Sequence, residues 1–147
     1  MAEEPGSIDD LCSRIRSSER ALTAHHEAVL RRYGLAMTQY LVLLALTQRG
    51  GMSAAQLARE CGVTQQSMAS VLSGLEGKGL IRRDPSPLHA KVKVATATPE
   101  GDAVFRQAYG EVAVLERHLA DAFSAKERAS LIALLDRATS VLVAQTR

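Results

Sequence analysis

A short run of residues in the middle of the chain carries side chains that can both donate and accept hydrogen bonds. Its members are Thr64, Gln65, Gln66, Ser67 and Ser70. Glutamine can form paired hydrogen bonds with the edge of adenine, and serine or threonine can bind bases or phosphates. The run is predicted to occupy the outer face of one helix, because the apolar residues in and around it face inward, namely Val63, Met68, Val71, Leu72 and Leu75. We interpret it as a surface for reading base edges in double-stranded DNA.

A second group of candidate residues is basic and follows shortly afterwards. It comprises Arg82, Arg83, His89, Lys91 and Lys93. Isolated cations on a loop are commonly only solvated. These, however, flank a turn between two segments with strand-like composition, and a basic β-loop can contact the DNA backbone or enter a minor groove. The hairpin therefore favours DNA contact over the alternative that the polar run is merely a solvated helix face.

Composition restricts the class of protein. The 147 residues include 23% charged residues and carry a net charge of +2, so any attraction to a polyanion must come from local clusters. Two cysteines are too few for a disulfide framework. The start of the chain is acidic and polar, unlike a signal peptide, and the longest apolar run, residues 40–46, is too short to cross a bilayer. We expect a cytoplasmic protein without a membrane partner.

The apolar periodicity predicts four helices before the hairpin. A one-sided apolar stripe indicates a first helix over about residues 8–32, and an all-apolar core indicates a buried second helix with Thr38 as its N-cap. Ser53 and Gln56 have the spacing of a capping box at the start of a third helix. A fourth helix is predicted over about residues 64–78.

The periodicity then changes to that of short strands. Strands are predicted over residues 81–84 and 92–97, joined by a proline-containing turn. Two long helices follow, one beginning at Pro99 and one after a capping box at Ser124. The predicted fold is mainly helical with a small β-hairpin, in the order α-α-α-α-β-β-α-α.

The third and fourth helices have the features of a helix-turn-helix. Ala58 is small where the two helices approach each other, and Gly62 can adopt the positive φ that ends the first of them. In such units the N-terminal residues of the second helix reach base edges in the major groove. With the basic hairpin behind it, the unit is predicted to be a winged helix-turn-helix.

Over about residues 11–142 the chain resembles the MarR family of transcriptional regulators. The resemblance rests on the order and spacing of several short motifs. They are Gly34-Leu35 before Gln39-Tyr40, Leu57-Ala58, Gly62-Val63-Thr64, residues 75–81, Arg83 and Thr98-Pro99-Glu100-Gly101. It implies a homodimer joined through the first helix and the last two, a pseudo-palindromic operator, and repression relieved by a ligand or oxidant. The single domain, 1–147, then consists of a DNA-binding lobe at about 38–98 and dimerisation helices at about 8–32 and 99–145.

The two long helices near the end of the chain carry more apolar residues than one small core needs. Their apolar residues are Val104, Ala108, Val112, Leu115, Leu119, Leu131, Leu134, Leu135, Ala138, Val141 and Leu142. They could pair only within one chain. A subunit interface is favoured, because two recognition helices about 34 Å apart suit a palindromic site.

The hairpin departs from the family at its tip. The family's Asp-x-Arg motif, whose arginine enters the minor groove, corresponds here to His89-Ala90-Lys91. Lys91 keeps a positive charge but lacks the planar guanidinium, and His89 cannot orient it as a carboxylate would. We expect Lys91 to attract phosphate rather than read groove shape, and Arg82 and Arg83 to carry more of the binding.

Two kinds of release signal remain open. Cys12 aligns with the reactive cysteine of the organic-peroxide-sensing branch of the family, but Arg16 and His26 stand where that branch has two tyrosines. A nearby cation would favour the thiolate, whereas a lone cysteine on a helix, like Cys61, is more often a packing residue. The commoner family signal is a small, often aromatic anion bound between the dimerisation helices and the DNA-binding lobe. The candidate contacts are His25, Arg32, Tyr33 and Tyr40.

Other classes of function find less support in the sequence. It contains no glycine-rich phosphate loop and no Ser/His/Asp arrangement, so neither an enzyme nor a cofactor is predicted. Its 4 histidines lack the spacing of a metal pair, so no metal site is predicted. A winged-helix interaction module that no longer binds DNA remains an alternative, and the missing Asp-x-Arg motif is the feature that favours it.

Overall fold

Helices make up most of the described residues, and short strands interrupt them at two places. The computed structural model describes residues 8–145; most of the acidic start, residues 1–7, and residues 146–147 lie outside this part. In chain order the elements are α1 (Ile8–Arg31), α2 (Met37–Arg49), β1 (Met52–Ser53), α3 (Ala54–Cys61), α4 (Gln65–Gly77), β2 (Ile81–Pro85), β3 (Lys93–Ala97), α5 (Pro99–Asp121) and α6 (Ala125–Gln145). The predicted fold class is confirmed.

The strands of the described residues form one antiparallel sheet in the order β1-β3-β2. β2 and β3 make the predicted hairpin, with Pro85 opposite Lys93 at its outer end. The predicted element order is wrong in lacking β1, in which Met52 pairs with Ala95. Two residues are too few to show the alternation that identifies a strand. The extra strand links the hairpin to the start of α3.

Local hydrogen bonds set the ends of the helices in the helix-turn-helix. The predicted capping box is confirmed, since Ser53 Oγ accepts from the Gln56 N–H at 3.3 Å and Gln56 Oε1 accepts from the Ser53 N–H at 2.8 Å. Gly62 ends α3 with a φ of 66°, in the left-handed region that favours glycine. Thr64 is the N-cap of α4.

The prediction for the start of α2 is wrong. The helix begins at Met37, and its N-cap is Ala36 rather than Thr38. Gln39 Oε1 accepts a hydrogen bond from the Ala36 N–H at 3.1 Å. The side chain of Gln39, at the third helical position, thus binds back to the N-cap residue, and the helix starts two residues earlier than a Thr38 cap would allow.

The chain divides into two compact units, Met1–Tyr109 and Gly110–Arg147. In the described part of the first unit, residues from α1 to α4 form an apolar core. Its largest fully buried side chains are Leu30, Val42, Leu43, Leu57, Met68, Leu72 and Leu75. Full burial of a side chain of this size stabilises the fold by about 1.5–3 kcal/mol. Since α4 buries its apolar face in this core, its opposite face is presented to solvent.

In the described part of the second unit, residues 110–145, α6 keeps its apolar side chains exposed. None of its residues is buried. The exposed large side chains of α6 are Leu131, Ile132, Leu134, Leu135, Val141, Leu142 and Val143. A contiguous apolar surface of this kind is typical of a face that another protein surface covers.

Candidate nucleic-acid interface

The N-terminal side of α4 presents all the predicted base-reading residues to solvent. The exposed residues are Thr64, Gln65, Gln66, Ser67 and Ser70. Thr64 Oγ1 accepts a hydrogen bond from the Ser67 N–H at 3.1 Å, and the Thr64 hydroxyl donates to Ser67 Oγ at 3.0 Å. These two residues therefore start the helix as well as lying at its surface. The local fold brings the five polar residues together at one helix end.

The two arginines of β2 have different surroundings. The Arg83 Nε donates to Glu76 Oε2 of α4 at 2.9 Å, and its side chain is only 27% exposed. The Arg82 Nε donates to Asp84 Oδ2 on its own strand at 2.6 Å, and its side chain is 71% exposed. Arg83 thus holds the hairpin against α4, the recognition helix of the helix-turn-helix, through an ion pair. Arg82 instead faces solvent beside the carboxylate of Asp84.

The tip of the hairpin is an ordered turn that carries its cations outward. The Ser86 N–H donates to the Val92 carbonyl at 2.7 Å, and the Val92 N–H donates to the His89 carbonyl at 2.8 Å. His89, Lys91 and Lys93 are exposed. No carboxylate side chain occurs between residues 85 and 99 of the sequence, so the tip is positively charged.

The residue before α5 forms hydrogen bonds with the segment that connects α4 to β2. The Thr98 N–H donates to the Leu80 carbonyl at 3.0 Å, and the Thr98 hydroxyl donates to the Gly79 carbonyl at 2.7 Å. The same hydroxyl oxygen accepts from the Gly101 N–H at 3.0 Å. The family-like motif at residues 98–101 therefore fixes the segment that follows the recognition helix.

Three charged residues that contact this region were not among the predicted site residues. Glu76 pairs with Arg83, Asp84 pairs with Arg82, and Lys78 donates hydrogen bonds to the Gly34 carbonyl and to Gln39. Glu76 and Lys78 lie within the motif at residues 75–81, between the recognition helix and the hairpin. Their place in this motif could have marked Glu76 and Lys78 as candidate residues. Their partners, however, lie on other elements and could not be predicted from the spacing of residues in the sequence.

The candidate effector residues lie on α1, α2 and the turn between them. His25 and Arg32 are exposed, and Tyr33 is half-buried. Tyr40 is buried, and its ring centroid lies 5.5 Å from that of Phe105. That these four residues contact an effector remains a prediction. Their best-defined structural feature is the aromatic pair of Tyr40 and Phe105.

The two cysteines differ in exposure. Cys12 is exposed on α1, and Cys61 is half-buried at the end of α3. Burial raises the pKa of the Cys61 thiol, and the charge of Glu60 raises it further, so the unreactive thiol is favoured there. Within residues 8–145, no three His, Cys, Asp or Glu side chains form a group that could hold a metal ion. In the same range, no helix is both long and apolar enough to span a bilayer.

Comparisons with known proteins agree with the geometry. A family model described as the MarR family matches residues 33–91. The HTH-type transcriptional repressor Rv2887 of Mycobacterium tuberculosis is 30% identical over 110 residues, which are 75% of this chain and 79% of that protein.

Solved structures share the fold at lower identity. The MarR family transcription regulator SP03579 matches with a TM-score of 0.85 and 23% identity, covering 94% of this chain and 93% of that one. BpsR of Bordetella bronchiseptica, whose DNA binding is regulated by 6-hydroxynicotinic acid, matches with a TM-score of 0.77 and 18% identity, covering 95% and 97%.

Proposed function

This chain belongs to the MarR family of transcriptional regulators, and from that premise we propose that it binds a pseudo-palindromic operator as a homodimer and represses transcription until a small ligand releases it. The observation that carries the proposal is the exposed polar end of α4 beside a basic hairpin. In a helix-turn-helix this end enters the major groove. Gln65 and Gln66 read bases there, and Thr64, Ser67 and Ser70 contact bases or phosphates.

The hairpin supplies positive charge to the DNA backbone. Arg82, Lys91 and Lys93 are exposed and contact phosphates next to the major-groove site, with His89 beside them at the tip. Arg83 acts differently, because its guanidinium is committed to Glu76. It holds the hairpin at a fixed angle to α4, so that the other cations meet the backbone while α4 occupies the groove.

A second copy of the chain covers the apolar face of α6. Leu135 and Leu142 are 46% and 61% exposed. Burying such side chains at an interface removes apolar surface from water at about 25 cal/mol per Å². α1 contributes Leu11 and Leu22, which are also exposed. A two-fold dimer presents two copies of α4 to a palindromic site.

A small aromatic acid is the proposed releasing ligand. The support is that BpsR, a protein of the same fold, has its DNA binding regulated by 6-hydroxynicotinic acid. In this chain the exposed Arg32 carries a guanidinium that suits a carboxylate, and Tyr40 is a buried aromatic contact whose ring packs on Phe105. His25 and Tyr33 complete the candidate contacts. Thiol oxidation at Cys12 is the competing signal.

Selection of bound sequences from random DNA, followed by anisotropy titration, tests the proposal. We expect a two-fold symmetric consensus. Gln65→Ala and Gln66→Ala should each lower discrimination against single base-pair changes by about 1–3 kcal/mol. Gln107→Ala, an exposed glutamine on α5, should leave discrimination unchanged. Failure to recover any consensus, or unchanged discrimination in both recognition-helix variants, would contradict the proposal.

The same titration separates the two release signals. 6-Hydroxynicotinate or benzoate at saturating concentration should weaken operator binding in wild type and in Cys12→Ser alike. Release by an organic peroxide that Cys12→Ser abolishes would instead assign the signal to the thiol.

A further inference from the structure

Lys78 ties the end of α4 to the turn between α1 and α2. Its Nζ donates to the carbonyl oxygen of Gly34 and, at 2.9 Å, to Gln39 Oε1. Its backbone N–H donates to the Gly74 carbonyl at 3.1 Å, so the residue also caps α4. One side chain therefore connects the last turn of the recognition helix with residues about forty positions earlier in the sequence.

Both acceptors lie at helix ends. The Gly34 carbonyl belongs to the turn that closes α1, in which the Gly34 N–H donates to the Arg31 carbonyl at 3.1 Å. The C-terminal end of a helix carries partial negative charge, which suits an ammonium group. Gln39 Oε1 also accepts from the Ala36 N–H at 3.1 Å. The same oxygen thus caps α2 and binds Lys78.

Close packing supports the connection from the side of α4. A Cβ on Gly74 would lie 3.0 Å from Gln39 Nε2, so glycine allows the helix to pass directly against this side chain. Gln39 is held between the start of α2 and the last turns of α4. Thr98 binds the carbonyls of the next two residues, Gly79 and Leu80, so the segment after Lys78 is fixed as well.

We propose that Lys78 is a positioning residue that couples the α1–α2 turn to the recognition helix. Through Gln39 and Gly34 it sets the angle at which α4 presents Gln65 and Gln66, without itself touching DNA. This inference rests on the proposed DNA-binding function. A displacement of the α1–α2 turn would then move the base-reading end of α4 through two charge-assisted hydrogen bonds.

The competing role for an exposed lysine beside a recognition helix is a phosphate contact. The two roles differ in their response to salt. Each phosphate contact that is removed reduces the magnitude of the negative slope of log K against log[salt] by about 0.9, because one fewer counterion is released, and a variant homodimer loses two such contacts. Removing a positioning contact weakens binding but leaves the slope as it is. Lys91, exposed on the hairpin, is the matched control for a phosphate-contacting lysine.

Anisotropy titrations of the selected operator over a range of salt test the proposal with four variants. Lys78→Met and Gln39→Met should each weaken binding by about tenfold, as expected for the loss of charge-assisted hydrogen bonds. Both should keep the wild-type salt slope. The two losses should be less than additive in the double variant, because the Lys78–Gln39 hydrogen bond is removed in both single variants. Lys91→Met, which removes one phosphate contact from each of the two subunits, should reduce the magnitude of the slope by about 1.8.

Gln39→Glu keeps an acceptor for Lys78, so it provides a folded comparison if Gln39→Met loses its α2 cap. It should bind DNA within about twofold of wild type, since the connection to the ammonium group persists. Additive losses in the double variant, a lowered slope in Lys78→Met, or wild-type binding by that variant would each overturn the positioning role. Wild-type protein without salt-sensitive binding to any duplex would overturn the proposed function and this role together.

Discussion

α4 and α6 both carry apolar residues at helical spacing, but they differ in what covers those residues. In α4, Met68, Leu72 and Leu75 are buried by the same chain, and the opposite face is polar. In α6 no residue is buried, and Leu135 and Leu142 are 46% and 61% exposed. A single chain therefore buries the apolar face of α4 but leaves the apolar side chains of α6 exposed.

The difference indicates two kinds of partner. A polar helix end with a rigid, buried reverse side is suited to a partner that is read by hydrogen bonds, as DNA is. An exposed apolar face is suited to another protein surface. In the proposed function the two are linked, because pairing through α6 and α1 is what presents two copies of α4 to one duplex.

Shortening a core residue of α4 should have the largest effect on stability. Leu72→Ala should lower the free energy of unfolding by about 2–5 kcal/mol, through lost burial and a cavity. Chemical denaturation at two protein concentrations measures it, and the loss relative to wild type should be the same at both. A loss as small as that of a surface substitution would mean that α4 is not supported by its own chain.

A charge on the apolar face of α6 should act on association instead. Leu135→Lys should shift the protein from dimer to monomer in sedimentation velocity and weaken operator binding, because an ammonium group would be buried without a partner. Ala133→Lys is the control, since its exposed position lies on nearly the opposite side of the helix. If the two variants associated and bound the operator equally well, the apolar face of α6 would not be a subunit interface.

The two arginines of β2 should separate stability from DNA contact. Arg83→Ala should lower the free energy of unfolding by about 1 kcal/mol or less, since it removes a partly exposed ion pair with Glu76. Arg82→Ala should leave stability within about 0.5 kcal/mol of wild type. It should instead reduce the magnitude of the salt slope of operator binding by about 1.8, because each of the two subunits loses one phosphate contact. The reverse assignment of the two effects would contradict the roles given to them.

The smallest predicted effect concerns the start of α6. The backbone N–H of Ser124, and then its hydroxyl, hold the pKa of the Glu127 carboxyl below its ordinary value. A carboxyl with a lowered folded-state pKa stabilises the fold above its unfolded-state pKa, and this contribution is lost as the pH falls through the folded-state pKa. As the pH is lowered, the melting temperature of the Glu127→Gln variant should therefore fall less than that of the wild-type protein. If the melting temperatures of the two proteins fell equally at acid pH, the hydrogen bonds of Glu127 would make no pH-dependent contribution to stability.

The elements that sequence predicted well are those fixed by local chemistry. The capping box of Ser53 and Gln56 and the left-handed Gly62 depend on neighbours within a few residues. β1 could not be found in this way, because Met52 becomes a strand residue only by pairing with Ala95. The start of α2 was misplaced because its N-cap is Ala36, which has no capping side chain, and the hydrogen bond at this end comes from Gln39.

The candidate site shows the same limit. Spacing alone placed the polar residues of α4 at its exposed N-terminal end, since apolar residues fixed the other face. It could not distinguish Arg82 from Arg83, because the difference depends on Glu76, which reaches β2 only through the folded turn. Lys78 likewise acquires its partners from the packing of α4 against the α1–α2 turn.

In the proposed complex two chains read one operator, with the polar end of each α4 in the DNA. Native mass spectrometry of the protein with the selected operator duplex measures this stoichiometry. We expect a complex of two chains per duplex, which Leu135→Lys loses and Ala133→Lys retains. A complex of one chain per duplex, or no complex at a salt concentration where the free protein is dimeric, would contradict it.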